Sequence, residues 1–152
     1  LKPKEKDDFA VNQTEAFEST YNQIKFAIGG VGIFITVLSL VVGGIGIMNI
    51  MFVSVKERTK EIGVRKAIGA TRNMILTQFL MEAIMICVIG GVIGLSFAAV
   101  LSLIINQFFP YTMPIWLAIT SISLSVFVGV IAGVVPSYRA AGLDPIDALR
   151  YE

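Results

Sequence analysis

The sequence of 152 residues contains no histidine and only one cysteine, Cys87. Without histidine, the chain lacks the commonest general base and the commonest transition-metal ligand of proteins. A single cysteine cannot form an internal disulfide, and Cys87 stands in an apolar run, where we expect it to be a packing residue. The sequence also lacks a G-x-x-x-x-G-K-[ST] phosphate-binding loop. We therefore predict no catalytic, cofactor or metal site, and any ATP-driven work would need another chain to bind the nucleotide.

Charge is scarce, because only 15% of the residues are charged whereas 55% are apolar. Soluble domains carry about 25% charged residues. The formal net charge of +1 gives no indication of a nucleic-acid partner. The first 25 residues are polar and charged, so no secretory signal peptide is evident. The composition is typical of a membrane protein.

Two uncharged runs, residues 26–55 and 83–138, predict the membrane spans. About 20 apolar residues cross a hydrocarbon core, so the first run suffices for one span and the second for two. We predict a turn at residues 106–114, which contain two prolines and the aromatic residues typical of a membrane–water interface. The predicted fold class is therefore an all-α membrane protein with three spans, the second over residues 72–105 and the third over 115–138.

The segment before the first uncharged run predicts a helix that is longer than the membrane is thick. Asn12 and Glu15 form a helix-start signature, after which apolar residues recur at helical spacing. We predict a stalk and first span over residues 13–57, preceded by a linker or domain end at residues 1–12. A helix of about 44 residues measures about 66 Å, against a hydrocarbon core of about 30 Å. Its apolar stripe needs a covering partner and consists of Phe17, Tyr21, Ile24 and Ile28.

Residues 56–72, named here the basic segment, contain half of the basic residues of the chain and only two acids. Basic loops resist translocation, so this segment predicts a cytoplasmic location, with the N-terminus outside and the C-terminus inside. Apolar residues among the charges predict a short amphipathic helix within residues 58–71, with Thr59 as N-cap and Gly69 ending the helix in a left-handed turn. Thr71 is predicted to cap the helix that follows. Such a helix is suited to docking a soluble partner. The alternative is a solvated loop that only fixes topology.

Two polar side chains within the predicted spans are candidates for function. Asn49 makes either a helix-to-helix hydrogen bond or a substrate contact, and Glu82 is either a functional acid or a carboxylate that reaches Arg72 or another loop base. Small residues at four-residue spacing also allow close approach of helices, either as packing within the subunit or as a movable transporter interface. These small residues are Gly90, Gly94, Ala98, Gly129 and Gly133.

Two stretches resemble the MacB-type and FtsX-like permeases of ABC transporters, namely GGIGIMNIMFVSVKERTKEIGVRKAIGAT (residues 43–71) and PSYRAAGLDPIDALRYE (residues 136–152). In that family, the first stretch contains a coupling helix that docks on the nucleotide-binding subunit. The resemblance implies docking with charges at the rim and isoleucines in a groove of the ATPase. The docking residues that it implies are Glu57, Arg58, Glu61, Ile62, Arg65, Lys66 and Ile68.

The second stretch predicts a short helix in a cytoplasmic tail, residues 139–152. Asp144, Pro145 and Asp147 match the N-cap, first and third positions of a helix. In the family, this tail lies near the nucleotide-binding subunit. The resemblance therefore implies a secondary cytoplasmic contact by Arg139, Asp144, Ile146 and Leu149.

The resemblance implies the permease subunit of an exporter of antibiotics, peptides or similar amphiphiles in the bacterial inner membrane. Its expected partners are an ABC ATPase that binds ATP and Mg²⁺, a second copy of the permease, and an extracytoplasmic adaptor protein. Family members carry an earlier helix and a large extracytoplasmic domain, so we expect an upstream part of a longer permease as well. By analogy, the ATPases push on the coupling helix and the stalk passes the movement outside.

Three alternatives remain open. One is an FtsX-like protein that activates a cell-wall hydrolase and transports nothing, and another is a lipoprotein-releasing permease. The third is a membrane scaffold without an ATPase, which copurification with an ATPase would distinguish from the rest.

Overall fold

Five helices make up the part of the chain that the structure, a computed structural model, describes: the backbone of residues 4–108 and 113–150, with side chains of residues 17–108 and 113–148. Three of the helices are long and apolar enough to cross a membrane, which confirms the predicted all-helical class and the number of candidate spans. Residues 109–112 of the predicted turn lie outside the described residues. The helices are α1 (Lys4–Glu57), α2 (Thr59–Ala67), α3 (Arg72–Asn106), α4 (Ile115–Gly142) and α5 (Pro145–Arg150).

Helix α1 begins at Lys4, so the predicted linker at residues 1–12 is helical over its described part. The prediction that Asn12 starts the helix is wrong, because Asn12 lies inside α1. Residues 4–12 contain neither glycine nor proline, and nothing in them interrupts a helix.

The chain divides into two compact units, Leu1–Val41 and Val42–Glu152, which are described separately. In the first unit, the side chains of the predicted stripe at Phe17, Tyr21, Ile24 and Ile28 are all exposed. The hydroxyl of Thr36 donates to the Gly32 carbonyl at 2.8 Å, and hydroxyls bonded in this way within a helix need no water. That the stripe is covered by a partner stays a prediction.

In the second unit, α4 packs against α3 through glycines that leave no room for a side chain. A Cβ added to Gly129 would lie 2.9 Å from the Ile84 Cα, and one added to Gly133 would lie 2.6 Å from the Ala83 Cβ. Two of the five small residues that the sequence singled out therefore bring these helices together.

The other three small residues, Gly90, Gly94 and Ala98, are exposed on α3. A Cβ at Gly90 or Gly94 would meet no atom within 4 Å, so these glycines pack against no described residue of this chain, and their role stays a prediction. Gly91 makes the contact instead, because a Cβ there would collide with the side chain of Ser125. A stretch that is apolar on every face gives no periodic signal of which side is packed.

A cluster of buried side chains joins four helices at the end of the unit where the charges lie. The cluster is closed by Ala140 and Ala141, whose small size lets the end of α4 approach the other helices. Phe79 and Met51 are its largest members, with relative exposures of 1% and 0%. The larger residues of the cluster are Met51, Val55, Ile62, Ile75 and Phe79.

We expect Gly133→Ala to destabilise the protein by about 1–3 kcal/mol, because the added methyl group overpacks the contact with Ala83. The matched control Gly94→Ala adds the same group where no atom lies within 4 Å, and should leave stability unchanged or slightly raised. Cys87 is 8% exposed, so a thiol-reactive dye can report thermal unfolding in detergent. Equal unfolding temperatures for the two variants would contradict the described packing.

Candidate functional site

The basic segment folds as a turn, the short helix α2 and a second turn. The prediction that Thr59 is the N-cap is wrong, because Arg58 occupies that position without a side-chain cap. The Thr59 hydroxyl instead donates to the carbonyls of Val55 at 3.1 Å and Lys56 at 2.8 Å, which are among the last of α1. Helices leave these carbonyls without backbone partners, so Thr59 closes α1 rather than opening α2.

The second turn follows the local rules of glycine and threonine. Helix α2 ends at Ala67 with Ile68 as C-cap, and Gly69 adopts a φ of 107°, in the left-handed region that favours glycine. The Thr71 hydroxyl then accepts a hydrogen bond from the Met74 amide at 3.3 Å, which caps α3. The predictions for Gly69 and Thr71 are confirmed.

Helix α2 has one buried and one open face. Ile62 is only 1% exposed and packs in the buried cluster, so the expectation that it fills a groove in an ATPase is wrong. Its position three residues after Thr59 places both side chains on the face that meets the other helices. Ile68 is 82% exposed, and Val64 is also exposed, so the available apolar groups lie on the opposite side of the turn.

The side chain of Lys66 bonds to the end of α4 rather than lying at an exposed rim. Its ammonium donates to the carbonyls of Ala141 at 2.6 Å and Leu143 at 2.7 Å, and the Arg72 Nε donates to the Ala141 carbonyl at 3.3 Å. The last carbonyls of a helix carry partial negative charge, which cations at this end stabilise. Lys66 therefore fixes α2 to the end of α4.

The remaining charges of the segment pair along its exposed edge. Arg65 forms an ion pair with Glu61 one turn earlier and donates to the Gln78 amide oxygen at 2.7 Å. Arg58 pairs with Glu82 at 3.5 Å. The carboxylate of Glu82 therefore reaches a basic residue of the segment, which is one of the two interpretations of Glu82. The basic residue is Arg58 and not Arg72. Such half-exposed pairs contribute at most about 1 kcal/mol each.

A shallow groove of about 480 Å³ runs between the end of α2 and the start of α3. Ile68 and Met74 supply exposed apolar surface in it, and Arg65 and Gln78 supply polar groups. We name it the Ile68 groove. The sequence prediction missed Met74 and Gln78, because they lie in the next helix and join the site only through the turn at Gly69.

Helix α5 packs on α2 through two small residues. A Cβ added to Gly63 would lie 2.7 Å from the Ala148 Cβ, so the two backbones approach closely here. The Asp144 carboxylate accepts a hydrogen bond from the Ile146 amide at 2.9 Å, and α5 begins at Pro145. The sequence prediction missed Gly63 and Ala148; the glycine within a charged helix was the available signal.

The residues predicted for a secondary cytoplasmic contact are spread over this region. Ile146 is 76% exposed, and Asp144 acts as the cap of α5. The Arg139 guanidinium lies over the Phe52 ring, 5.0 Å from its centroid. The side chain of Leu149 lies outside the described residues. Their role in a contact stays a prediction.

Asn49 lies exposed on α1, in a shallow groove with Ile50, Val53 and Glu57. The structure gives its side chain no hydrogen bond within the described residues. The structure therefore does not support a helix-to-helix hydrogen bond within this chain.

Three helices of spanning length, with a charged and tightly packed segment between the first two, define an integral membrane domain. A sequence-family profile described as "FtsX-like permease C-terminal" matches residues 33–145, which is more than half of the chain. The chain therefore belongs to the FtsX-like permease family.

Relatives with assigned names support the same family. The chain is 47% identical over 153 residues to the macrolide export ATP-binding/permease protein MacB of Neisseria meningitidis serogroup A, a match that covers 96% of this chain and 23% of the relative. It is 42% identical to the protein of that name from Rhodopirellula baltica, a match that covers 95% of this chain and 21% of the relative. It is 39% identical to the protein of that name from Syntrophobacter fumaroxidans, a match that covers 100% of this chain and 22% of the relative. The chain thus spans less than a quarter of the length of these relatives.

We expect Lys66→Met to lower the stability of the protein by about 1–3 kcal/mol, because it removes two charge-assisted hydrogen bonds and leaves only Arg72 to bond to the end of α4. Lys60→Met is the matched control, since Lys60 is exposed on the same helix and makes no contact of this kind. Thermal unfolding in detergent measures both. A Lys60→Met variant that loses as much stability as Lys66→Met would show that only net charge matters.

Proposed function

We propose that this chain is the transmembrane part of a MacB-type ABC exporter, in which ATP hydrolysis elsewhere in the assembly drives movement on the extracytoplasmic side. Family membership supports a permease, and the name of the relatives joins macrolide export with ATP binding in one protein. ATP and Mg²⁺ would bind in another domain or subunit. A second copy of the permease and an extracytoplasmic adaptor complete the proposed assembly, with antibiotics, peptides or similar amphiphiles as cargo.

The observation that carries the proposal is the open face of the basic segment. Ile68 is 82% and Met74 is 66% exposed, and they flank a groove beside the Glu61–Arg65 ion pair. A partly apolar groove with a polar rim is the anatomy of a protein docking site. We therefore assign the ATPase contact to Ile68, Val64 and Met74, with Glu57, Glu61 and Arg65 at its edge. Ile62 and Lys66 support this surface from behind.

This arrangement lets a push on α2 act on several helices at once. Ile62 packs with residues of α1, α3 and α4, and Lys66 bonds to carbonyls at the end of α4. Packed cores resist compression, so displacement of α2 shifts the helix ends rather than deforming the cluster. Helix α1 would then carry the movement outwards as a stalk. This route is part of the proposal and requires the basic segment to be cytoplasmic.

An FtsX-like activator of a cell-wall hydrolase is the second candidate, and membership of the FtsX-like family is compatible with it. It would use the same docking surface and outward movement without transported cargo. Macrolide efflux that depends on this protein distinguishes the exporter from the activator.

We expect Ile68→Ala to weaken docking of the ATPase by roughly tenfold or more and to lower macrolide efflux correspondingly, because it truncates an exposed apolar anchor. Ile93→Ala is the matched control, since Ile93 is also an exposed isoleucine but lies within the apolar part of α3. Binding of the purified ATPase to the permease in nanodiscs and drug efflux from cells are the measurements.

An Ile68→Ala variant that binds the ATPase and exports like the Ile93→Ala control would refute the assigned surface. Ile62→Ala separates docking from folding: a buried isoleucine costs about 2–5 kcal/mol when truncated, so this variant should lose stability, as Ile68→Ala should not.

We expect a cysteine placed at Lys60 to react with a membrane-impermeant maleimide only after the cells are permeabilised, because the basic segment is proposed to face the cytoplasm. Cys87 is buried and can be replaced by serine to remove background labelling. Labelling of intact cells to the same extent would invert the topology and remove the docking role with it.

A further inference from the structure

A second groove, of about 500 Å³, lies on the other side of the basic segment. Its apolar floor includes Phe52 and Val55 of α1 and Leu143 after α4. Lys56, Arg139 and Asp147 contribute charged groups to its lining. We name it the Lys56–Arg139 groove. It shares no residue with the Ile68 groove, and the proposed docking surface does not include it.

Among the described residues, the two cations of this groove have no acidic partner. The ion pairs of the described residues are Arg58–Glu82 and Arg65–Glu61, so neither Lys56 nor Arg139 lies within 4.0 Å of a carboxylate. Arg139 instead rests over the Phe52 ring. With two cations and one acid, the groove is net positive. One of the two cations, Lys56, belongs to the basic segment, which has six basic residues and two acids. Such a surface attracts an anion.

The position of the groove along the helices indicates what kind of anion reaches it. Lys56 is the first charge after the uncharged run of residues 26–55, and Arg139 is the first after residues 83–138. Charges return where a span leaves the hydrocarbon, so the groove lies at the boundary between acyl chains and headgroups. Basic residues at this level attract anionic lipids, and the aliphatic stems of such side chains lie along apolar surface.

We propose that the Lys56–Arg139 groove binds an anionic phospholipid of the phosphatidylglycerol type from the leaflet on the side of the basic segment. Its phosphate lies between Lys56 and Arg139, and an acyl chain lies against Phe52 and Leu143. The groove touches α1, α4 and α5, so the lipid contacts α1 and α4, which the buried cluster also joins, and α5, which lies outside that cluster.

Native mass spectrometry of the full-length protein, released from detergent after addition of phosphatidylglycerol or phosphatidylethanolamine, tests the proposal. We expect phosphatidylglycerol to bind more tightly, and Lys56→Gln and Arg139→Gln each to weaken its binding about fivefold. Lys60→Gln is the matched control, because Lys60 belongs to the basic segment but does not line the groove. It should change binding by less than twofold.

Asp147→Asn should change lipid affinity in the opposite direction, and loss of folding cannot produce such a gain. Removing the one acid of the groove should strengthen phosphatidylglycerol binding by a few fold. Weaker binding of that lipid, or a stronger preference of the unaltered protein for phosphatidylethanolamine, would overturn the proposal.

Two further outcomes also contradict it. An equal loss of binding in Lys60→Gln would mean that the lipid responds to the whole basic segment rather than to this groove. Displacement of the lipid by inorganic phosphate at millimolar concentration would mean that the site takes a free anion and that the apolar floor plays no part.

Discussion

The burial of Ile62 among residues of α1, α3 and α4 is the contact on which the rest of the second unit depends. Without it, α2 would be a charged loop between two helices, since nine residues are too few to form a stable helix in isolation. With it, one face of α2 is fixed and the other is presented to the surroundings. The hydrogen bonds of Lys66 to the end of α4 and the contact of Gly63 with Ala148 hold the same face from two further sides.

Within a few residues of sequence, this arrangement separates side chains that hold α2 in place from side chains that are exposed to a partner. Ile62 and Lys66 face the interior, whereas Glu61, Arg65 and Ile68 face outwards. A helix turns by about 100° per residue, so adjacent residues point in different directions, whereas residues four apart share a face. Substitutions in the basic segment therefore divide into those that act on stability and those that act on a partner, and resemblance to a family does not by itself distinguish them.

The parts of the fold that the sequence predicted well are those fixed by strong local rules. Uncharged runs gave the spans because charges in hydrocarbon are costly, and Thr71, Asp144 and Gly69 mark helix ends through their own backbone chemistry. Two helix starts, at Asn12 and Thr59, were predicted wrongly, and the other errors concern which face of a helix is covered. Ile62 was assigned to the exposed face of α2 although it is buried, and Gly91 and Ala148 were overlooked. Tertiary packing alone decides those positions, because helices that are apolar all round carry no directional pattern.

The pairing of Glu82 with Arg58 has a consequence for how the protein is made. Glu82 stands in a helix that must enter the bilayer, and a lone carboxylate there opposes insertion. Its counter-ion precedes it by 24 residues, so the ribosome has already synthesised Arg58 when Glu82 emerges. The two charges can therefore meet at the membrane surface and enter the boundary region as a compensated pair, before α4 is complete.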